Sequence, residues 1–154
     1  MFTAYILTDI EINAPKDKVW GIVMDMNNWE SWNPFVIRAT TDTTPPTVGK
    51  HLQIKVRPVQ SKPNKIFSFT PKVLACDIGT EFRWKGSLPV PGMFVGEHWF
   101  KVEEVAGKPG VTKLIHGEDF WGMLIPLMKG DLKESENSFG LMNRALKALA
   151  EGQT

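Results

Sequence analysis

Near the end of the chain, hydrophobic residues recur in alternating steps of four and three. This spacing predicts one long amphipathic helix over residues 123–151. Its inner stripe is formed by Met128, Leu132, Ser135, Phe139, Met142, Leu146 and Leu149. The same spacing places Asn143 on the opposite face, among lysines and glutamates. A helix with one wide apolar face needs a broad surface to cover, and the segments upstream supply it.

Those upstream segments alternate with a period of two, which is typical of strands with one buried face. In the first strand, residues 2–12, Ile6 and Ile10 share the buried face with Thr8. Two short helices follow, one beginning after Pro15 and one ending before Pro34. Five or six further strands are predicted at residues 35–40, 50–57, 65–75 (interrupted by Pro71), 80–86, 97–105 and 111–120. The order indicates an α+β fold with an antiparallel sheet wrapped around the terminal helix.

Length and composition narrow the class of protein. The 154 residues, 42% of them hydrophobic, predict one domain over residues 1–154. The chain carries 18 basic and 17 acidic residues, a balance that argues against a nucleic-acid surface. No apolar run approaches the roughly 20 residues that span a bilayer, so we expect no stable membrane insertion. With one cysteine, Cys76, and no secretory signal, we expect a cytoplasmic protein, whose oligomeric state stays open.

Three stretches together resemble a known superfamily. They are residues 12–25, which begin Ile-Asn-Ala-Pro; residues 29–35, Trp-Glu-Ser-Trp-Asn-Pro-Phe; and residues 96–100, Gly-Glu-His-Trp-Phe, with residues 112–122 across a turn. They resemble the START-like superfamily, also called the helix-grip or SRPBCC fold, and most closely its polyketide cyclase/dehydrase-type branch. The resemblance implies a curved sheet of about six to seven strands around the long helix. It also implies two short helices between the first two strands and a deep, mostly apolar cavity, but no particular reaction.

The last two strands carry the candidate chemistry. Pairing Val102 with Leu114 keeps most charges in water and sets His98 opposite Glu118 on the concave side, whereas a one-residue slip inverts every side chain. In this register Phe100 faces His116. Ionisable groups that face an apolar interior need partners. We leave open whether they form a structural polar cluster, recognise the polar end of a ligand, act as an acid/base pair, or bind a metal.

The predicted ligand-binding residues combine this polar group with apolar side chains that face it. They are His98, Phe100, His116, Glu118, Trp84, Phe120, Phe139 and Met142. Residues 58–64 and 88–94 form two Pro-containing loops, which we place at the mouth of the cavity. We expect Trp29 and Trp32 to plug one end of the sheet, with Asn33 capping backbone groups. No catalytic residue, cofactor or metal is assigned.

Three functions compete at this stage. The leading one is binding of a small hydrophobic ligand, of lipid or polyketide/aromatic type, between the sheet and the C-terminal helix. The second is a polyketide cyclase or dehydratase that uses general acid/base residues, since motifs for nucleophilic catalysis and phosphate binding are absent. The third is a protein-interaction module of co-chaperone type, which predicts an exposed apolar patch at Trp99 and Ile115.

Overall fold

The computed structural model describes residues 2–152 and has an α+β fold. The N-terminal half, in chain order, contains β1 (Thr3–Ile12), α1 (Lys16–Met24), a first 3₁₀ helix (Met26–Ser31), β2 (Val36–Thr40), β3 (Gln53–Val56), β4 (Phe67–Phe69) and β5 (Lys72–Asp77). The C-terminal half contains β6 (Glu81–Ser87), β7 (Val95–Glu104), β8 (Thr112–Trp121), a second 3₁₀ helix (Ile125–Leu127) and α2 (Lys129–Ala150). The helix-grip arrangement is confirmed, with both short helices between the first two strands.

The described residues contain eight strands, more than the six or seven expected. Pro71 divides the predicted strand 65–75 into β4 and β5, because proline cannot donate to the ladder. Five strands pair in the order β1-β8-β7-β6-β5, and the other three in the order β2-β3-β4. Backbone hydrogen bonds from Leu52 to Pro71 (2.8 Å) and from Val73 to Lys50 (2.9 Å) join the two groups of strands.

The predicted register of the last hairpin is confirmed. Val102 pairs with Leu114, Phe100 with His116, and His98 with Glu118. In β1, Ile6 and Ile12 are buried, and Thr8 and Ile10 between them are half-buried. The intervening residues of the strand are exposed, as the sequence pattern predicted. Strand β8 lies between β7 and β1, so its concave side chains are flanked by both neighbours.

The C-terminal helix differs from the prediction at its start. Residues 123–128 do not continue α2, which begins at Lys129; instead the second 3₁₀ helix precedes it, with Pro126 in its first turn. The predicted stripe is otherwise correct, since Phe139, Met142 and Leu146 are buried. Asn143 was placed on the wrong face: it is 2% exposed, because the helical repeat puts it on the face of Phe139 and Leu146. Hydrogen bonds from its amide group make this burial possible.

The tryptophans of the segment 29–32 pack into the aromatic core. Trp29 is fully buried, its indole N–H donates to the carbonyl of Ile22 at 3.1 Å, and its ring packs edge-on to Phe100. The Asn33 side-chain oxygen accepts hydrogen bonds from the backbone N–H groups of residues 35 and 36, both at 2.9 Å. Trp32 is half-buried and packs against Trp29.

The outer face of the sheet does not offer the apolar patch predicted at Trp99. This ring is 9% exposed, and it lies across Gly117 with Arg83 and Lys101 over it at 5.7 and 4.9 Å from its centroid. Long charged side chains cover apolar surface while keeping their charged ends in water. Ile115 is half-buried. The patch that the co-chaperone-type alternative placed at Trp99 is therefore covered by charged side chains.

Candidate functional site

A cavity of about 400 Å³ lies between the sheet and the N-terminal half of α2. Its wall is mostly apolar, with aromatic rings from several elements: Phe35, Phe69, Trp84, Phe94, Phe120 and Phe139. Its mouth is marked by lining residues that are exposed, including Phe67, Leu88 and the charged Lys65 and Asp131. Pro58 and Val59 from the first predicted mouth loop, and Leu88 and Phe94 from the second, belong to the lining.

The predicted site residues fall into two layers. Those that line the cavity are Trp84, His98, Glu118, Phe120 and Phe139. The other three, Phe100, His116 and Met142, are fully buried behind this wall and are not part of the lining. The sequence pattern predicted the correct face of the sheet or of α2 for all of them. It did not separate the cavity wall from the core beneath it, because both are apolar and share one face.

A chain of hydrogen bonds runs from the cavity floor into the core. Glu118 Oε1 lies 3.0 Å from His98 Nδ1, and His98 Nε2 lies 2.7 Å from His116 Nε2. His116 Nδ1 in turn lies 2.8 Å from Asn143 Oδ1. The amide nitrogen of Asn143 donates to the hydroxyl of Thr8 at 2.8 Å, and this hydroxyl donates to the carbonyl of His116 at 2.7 Å. The three polar side chains predicted on the hairpin are therefore hydrogen-bonded to one another.

Sequence reasoning missed the last two members of this chain. Asn143 was grouped with the charged residues of the opposite helix face, and Thr8 was assigned to the buried face of β1 without a partner. The signal that pointed to them is weak: each is a polar residue at a position where its element turns toward the concave side. Only the tertiary arrangement brings residues 8, 116 and 143 together.

Both histidines lie between aromatic rings that exclude water. Trp84 stacks on His98 with centroids 4.5 Å apart, and His116 stacks between Phe100 and Phe139 at 4.4 and 4.3 Å. Burial disfavours the charged imidazolium, so it lowers the pKa of His98 to about 3. The pKa of His116 is also lowered well below its usual value, first by burial and then by the neighbouring His98.

Glu118 responds to burial in the opposite direction. Its side chain is 17% exposed, and loss of water followed by repulsion from Asp119 raises its pKa to about 8. The contact between Glu118 and His98 has the distance of a salt bridge, but burial favours the neutral forms of both partners. At neutral pH the group is therefore a carboxylic acid hydrogen-bonded to an uncharged imidazole.

Gly96 leaves space for the carboxyl group of Glu118. A Cβ atom at residue 96 would collide with Glu118 Oε2 and crowd the ring of Phe120. Gly96 pairs with Phe120 across β7 and β8, next to the His98–Glu118 pair. The absence of a side chain there lets Oε2 lie at the floor of the cavity.

Within residues 2–152, no group of three His, Cys, Asp or Glu side chains has an arrangement that could hold a metal ion. The two histidine Nε2 atoms contact each other instead of converging on a common point. None of the helices in this part of the chain is long and apolar enough to cross a membrane.

Comparisons with solved structures support the fold assignment. The chain is similar to a START superfamily protein from Mycobacterium smegmatis, with 18% identity, a TM-score of 0.71 and coverage of 97% of this chain and 99% of that chain. It is also similar to the Zhui aromatase/cyclase from Streptomyces sp. R1128, with 13% identity, a TM-score of 0.77 and coverage of 97% and 94%. At such identities the likeness concerns the fold.

A third solved structure is a two-domain protein. The chain matches the di-domain ARO/CYC BexL from the BE-7585A biosynthetic pathway with 15% identity and a TM-score of 0.67, covering 98% of this chain and 50% of that one. A search of curated proteins found no significant match. The sequence profile of one family, described as "Polyketide cyclase / dehydrase and lipid transport", matches residues 5–150. The chain therefore belongs to this family, and it shares its fold with the START superfamily protein from Mycobacterium smegmatis.

Proposed function

We propose that this protein binds a small hydrophobic molecule, of lipid or polyketide/aromatic type, in the cavity between the sheet and α2. The observation that carries the proposal is a mostly apolar cavity of about 400 Å³ with a mouth at the surface. If it were dry and closed, such a void would cost about 10 kcal/mol at roughly 24 cal/mol per Å³. That cost rivals the whole stability of a domain, about 5–15 kcal/mol, so the space holds water or a ligand.

The test is to place a bulky side chain in the cavity by a substitution on α2. Ser135 lines it, whereas Glu134 on the same helix is exposed and does not. We expect the wild type and Glu134→Phe to bind the neutral fluorescent probe N-phenyl-1-naphthylamine equally, and Ser135→Phe to bind it at least tenfold more weakly. Native mass spectrometry of protein purified without denaturation gives a second readout, through retained apolar ligands. Equal binding of the probe by all three proteins would show that this cavity is not the site.

A second candidate function, cyclase- or dehydratase-type catalysis, is supported by one observation. Glu118 holds its proton at neutral pH and lines the cavity, as a general acid requires. In a dehydration the carboxyl group would turn its protonated oxygen from His98 toward the substrate and protonate a leaving hydroxyl group; the resulting carboxylate would then take the proton released from the neighbouring carbon. With a β-hydroxy ketone of polyketide type as substrate, we expect Glu118→Gln to lower turnover about 100-fold or more. Unchanged turnover in this variant excludes the reaction at Glu118.

A further inference from the structure

The hydrogen-bond chain has a direction that one hydroxyl group fixes. Thr8 Oγ1 lies 2.7 Å from the carbonyl oxygen of His116, which only accepts hydrogen bonds, so the single hydroxyl hydrogen points there. The hydroxyl must therefore accept its other hydrogen bond, and the atom of Asn143 that faces it at 2.8 Å is the amide nitrogen. This leaves Asn143 Oδ1 facing the imidazole of His116.

The orientation of the Asn143 amide determines the positions of the other protons in the chain. Because Asn143 Oδ1 accepts, His116 carries its hydrogen on Nδ1, and its Nε2 has a lone pair. His98 must then donate from Nε2, over 2.7 Å. The next hydrogen bond, between His98 Nδ1 and Glu118 Oε1 at 3.0 Å, needs one proton between two atoms that both have lone pairs.

The position of that last proton does not affect the other oxygen of Glu118. Whether the proton rests on Oε1 or on His98 Nδ1, Oε2 carries no hydrogen, and the pair is neutral overall. Within residues 2–152, Glu118 Oε2 forms no hydrogen bond, and the side chain of Glu118 lines the cavity. The floor therefore offers an unused hydrogen-bond acceptor in a setting without net charge.

From this arrangement we infer that the cavity selects neutral apolar molecules that end in a hydroxyl group, which donates to Glu118 Oε2. This inference rests on the proposed ligand binding and names the class of ligand. The carboxylate of a ligand would meet an acceptor where it needs a donor, so no new hydrogen bond would offset the loss of its bound water. An ether or a hydrocarbon fits the same walls but leaves Oε2 unpaired. Phenols and long-chain alcohols share the selected chemistry.

The direct test compares two matched ligand series at pH 7. The aromatic series is 2-naphthol, 2-methoxynaphthalene and 2-naphthoate; the aliphatic series is 1-decanol, decyl methyl ether, decanoate and decylammonium. We expect the hydroxyl compound of at least one series to bind about tenfold more tightly than its ether, the cost of one unmade hydrogen bond. The carboxylates should bind at least about 100-fold more weakly. Which series binds decides between an aromatic and a lipid-like source.

Two variants at residue 118 test the role of the acceptor. In Glu118→Gln the amide nitrogen can donate to His98 while the amide oxygen replaces Oε2, so we expect affinity for the hydroxyl compound within about threefold of the wild type. In Glu118→Leu the acceptor is gone, and the hydroxyl compound and its ether should bind equally. A preference for the hydroxyl compound that persists in Glu118→Leu overturns the inference.

The proton positions have their own readout, which needs no variant. Nitrogen-15 NMR of the imidazoles should show His116 protonated on Nδ1; the third histidine, His51, is exposed and serves as the reference signal. A His116 protonated on Nε2 alone contradicts the inferred direction of the chain. If no member of either series binds, the proposed function fails. If the series bind without preference for the hydroxyl group, or if the carboxylate or ammonium binds most tightly, only the inferred ligand class fails.

Discussion

The stability of the domain should depend on Asn143, a polar residue in the middle of an apolar helix face. Replacing it with leucine, of similar volume, removes the acceptor for His116 Nδ1 and the donor to Thr8. An unpaired buried N–H costs about 1–3 kcal/mol, part of which the added apolar burial offsets. We therefore expect Asn143→Leu to lower the free energy of unfolding by about 2 kcal/mol, and Tm by about 4–8 °C for a domain of this size.

Urea denaturation followed by tryptophan fluorescence measures this change. Asn137→Leu, at an exposed position of the same helix, is the matched control and should stay within about 0.5 kcal/mol of the wild type. Thr8→Val completes a double-mutant cycle with Asn143→Leu, because both substitutions remove the hydrogen bond between these two residues. The double variant should therefore lose about 1 kcal/mol less free energy of unfolding than the sum of the two single variants. Strict additivity, or an Asn143→Leu protein as stable as the control, refutes the hydrogen-bond chain.

Further predictions concern Glu118 and the outer face. Native Glu118 keeps its proton up to about pH 8 whereas the unfolded chain releases it near 4.5, so its contribution to stability is full below 4.5 and is lost as pH rises. From pH 6.5 to 8, denaturant titration should show the wild type losing about 2 kcal/mol relative to Glu118→Gln, a difference in which the titration of the histidines cancels. Calorimetry should show Gly117→Ala destabilised by about 1–3 kcal/mol, since its Cβ would meet the Trp99 ring at 2.5 Å; unchanged Tm contradicts this close packing.

The sequence predicted those parts of the fold that depend on periodicity. Alternation with a period of two placed the strands, and charge on one face of the last hairpin fixed the register of His98 and Glu118. The helix start was wrong because Pro126 favours a tight turn ahead of α2, while the apolar spacing continues through it. Periodicity reports which face a residue occupies but not whether the backbone continues as one helix.

The site was predicted only as far as it lies on one hairpin. His98, His116 and Glu118 follow from a single register, but Thr8 and Asn143 come from opposite ends of the chain. Asn143 resembles its solvent-facing neighbours in the sequence. Its amide oxygen is paired with the Nδ1–H donor of His116, in a strand 27 residues earlier, and the sequence of the helix alone does not show that partner.

The two halves of α2 have different neighbours, and this gives the helix an uneven local stability. Met128, Leu132 and Ser135 border the cavity, whereas Met142, Leu146 and Ala150 are buried in the continuous core. Segments with few packed apolar contacts open by local unfolding long before the whole domain does. We expect amide hydrogens in residues 129–136 to exchange faster than those in residues 142–150. Such local opening would let the proposed ligand enter or leave at the beginning of the helix, while its end keeps the sheet folded.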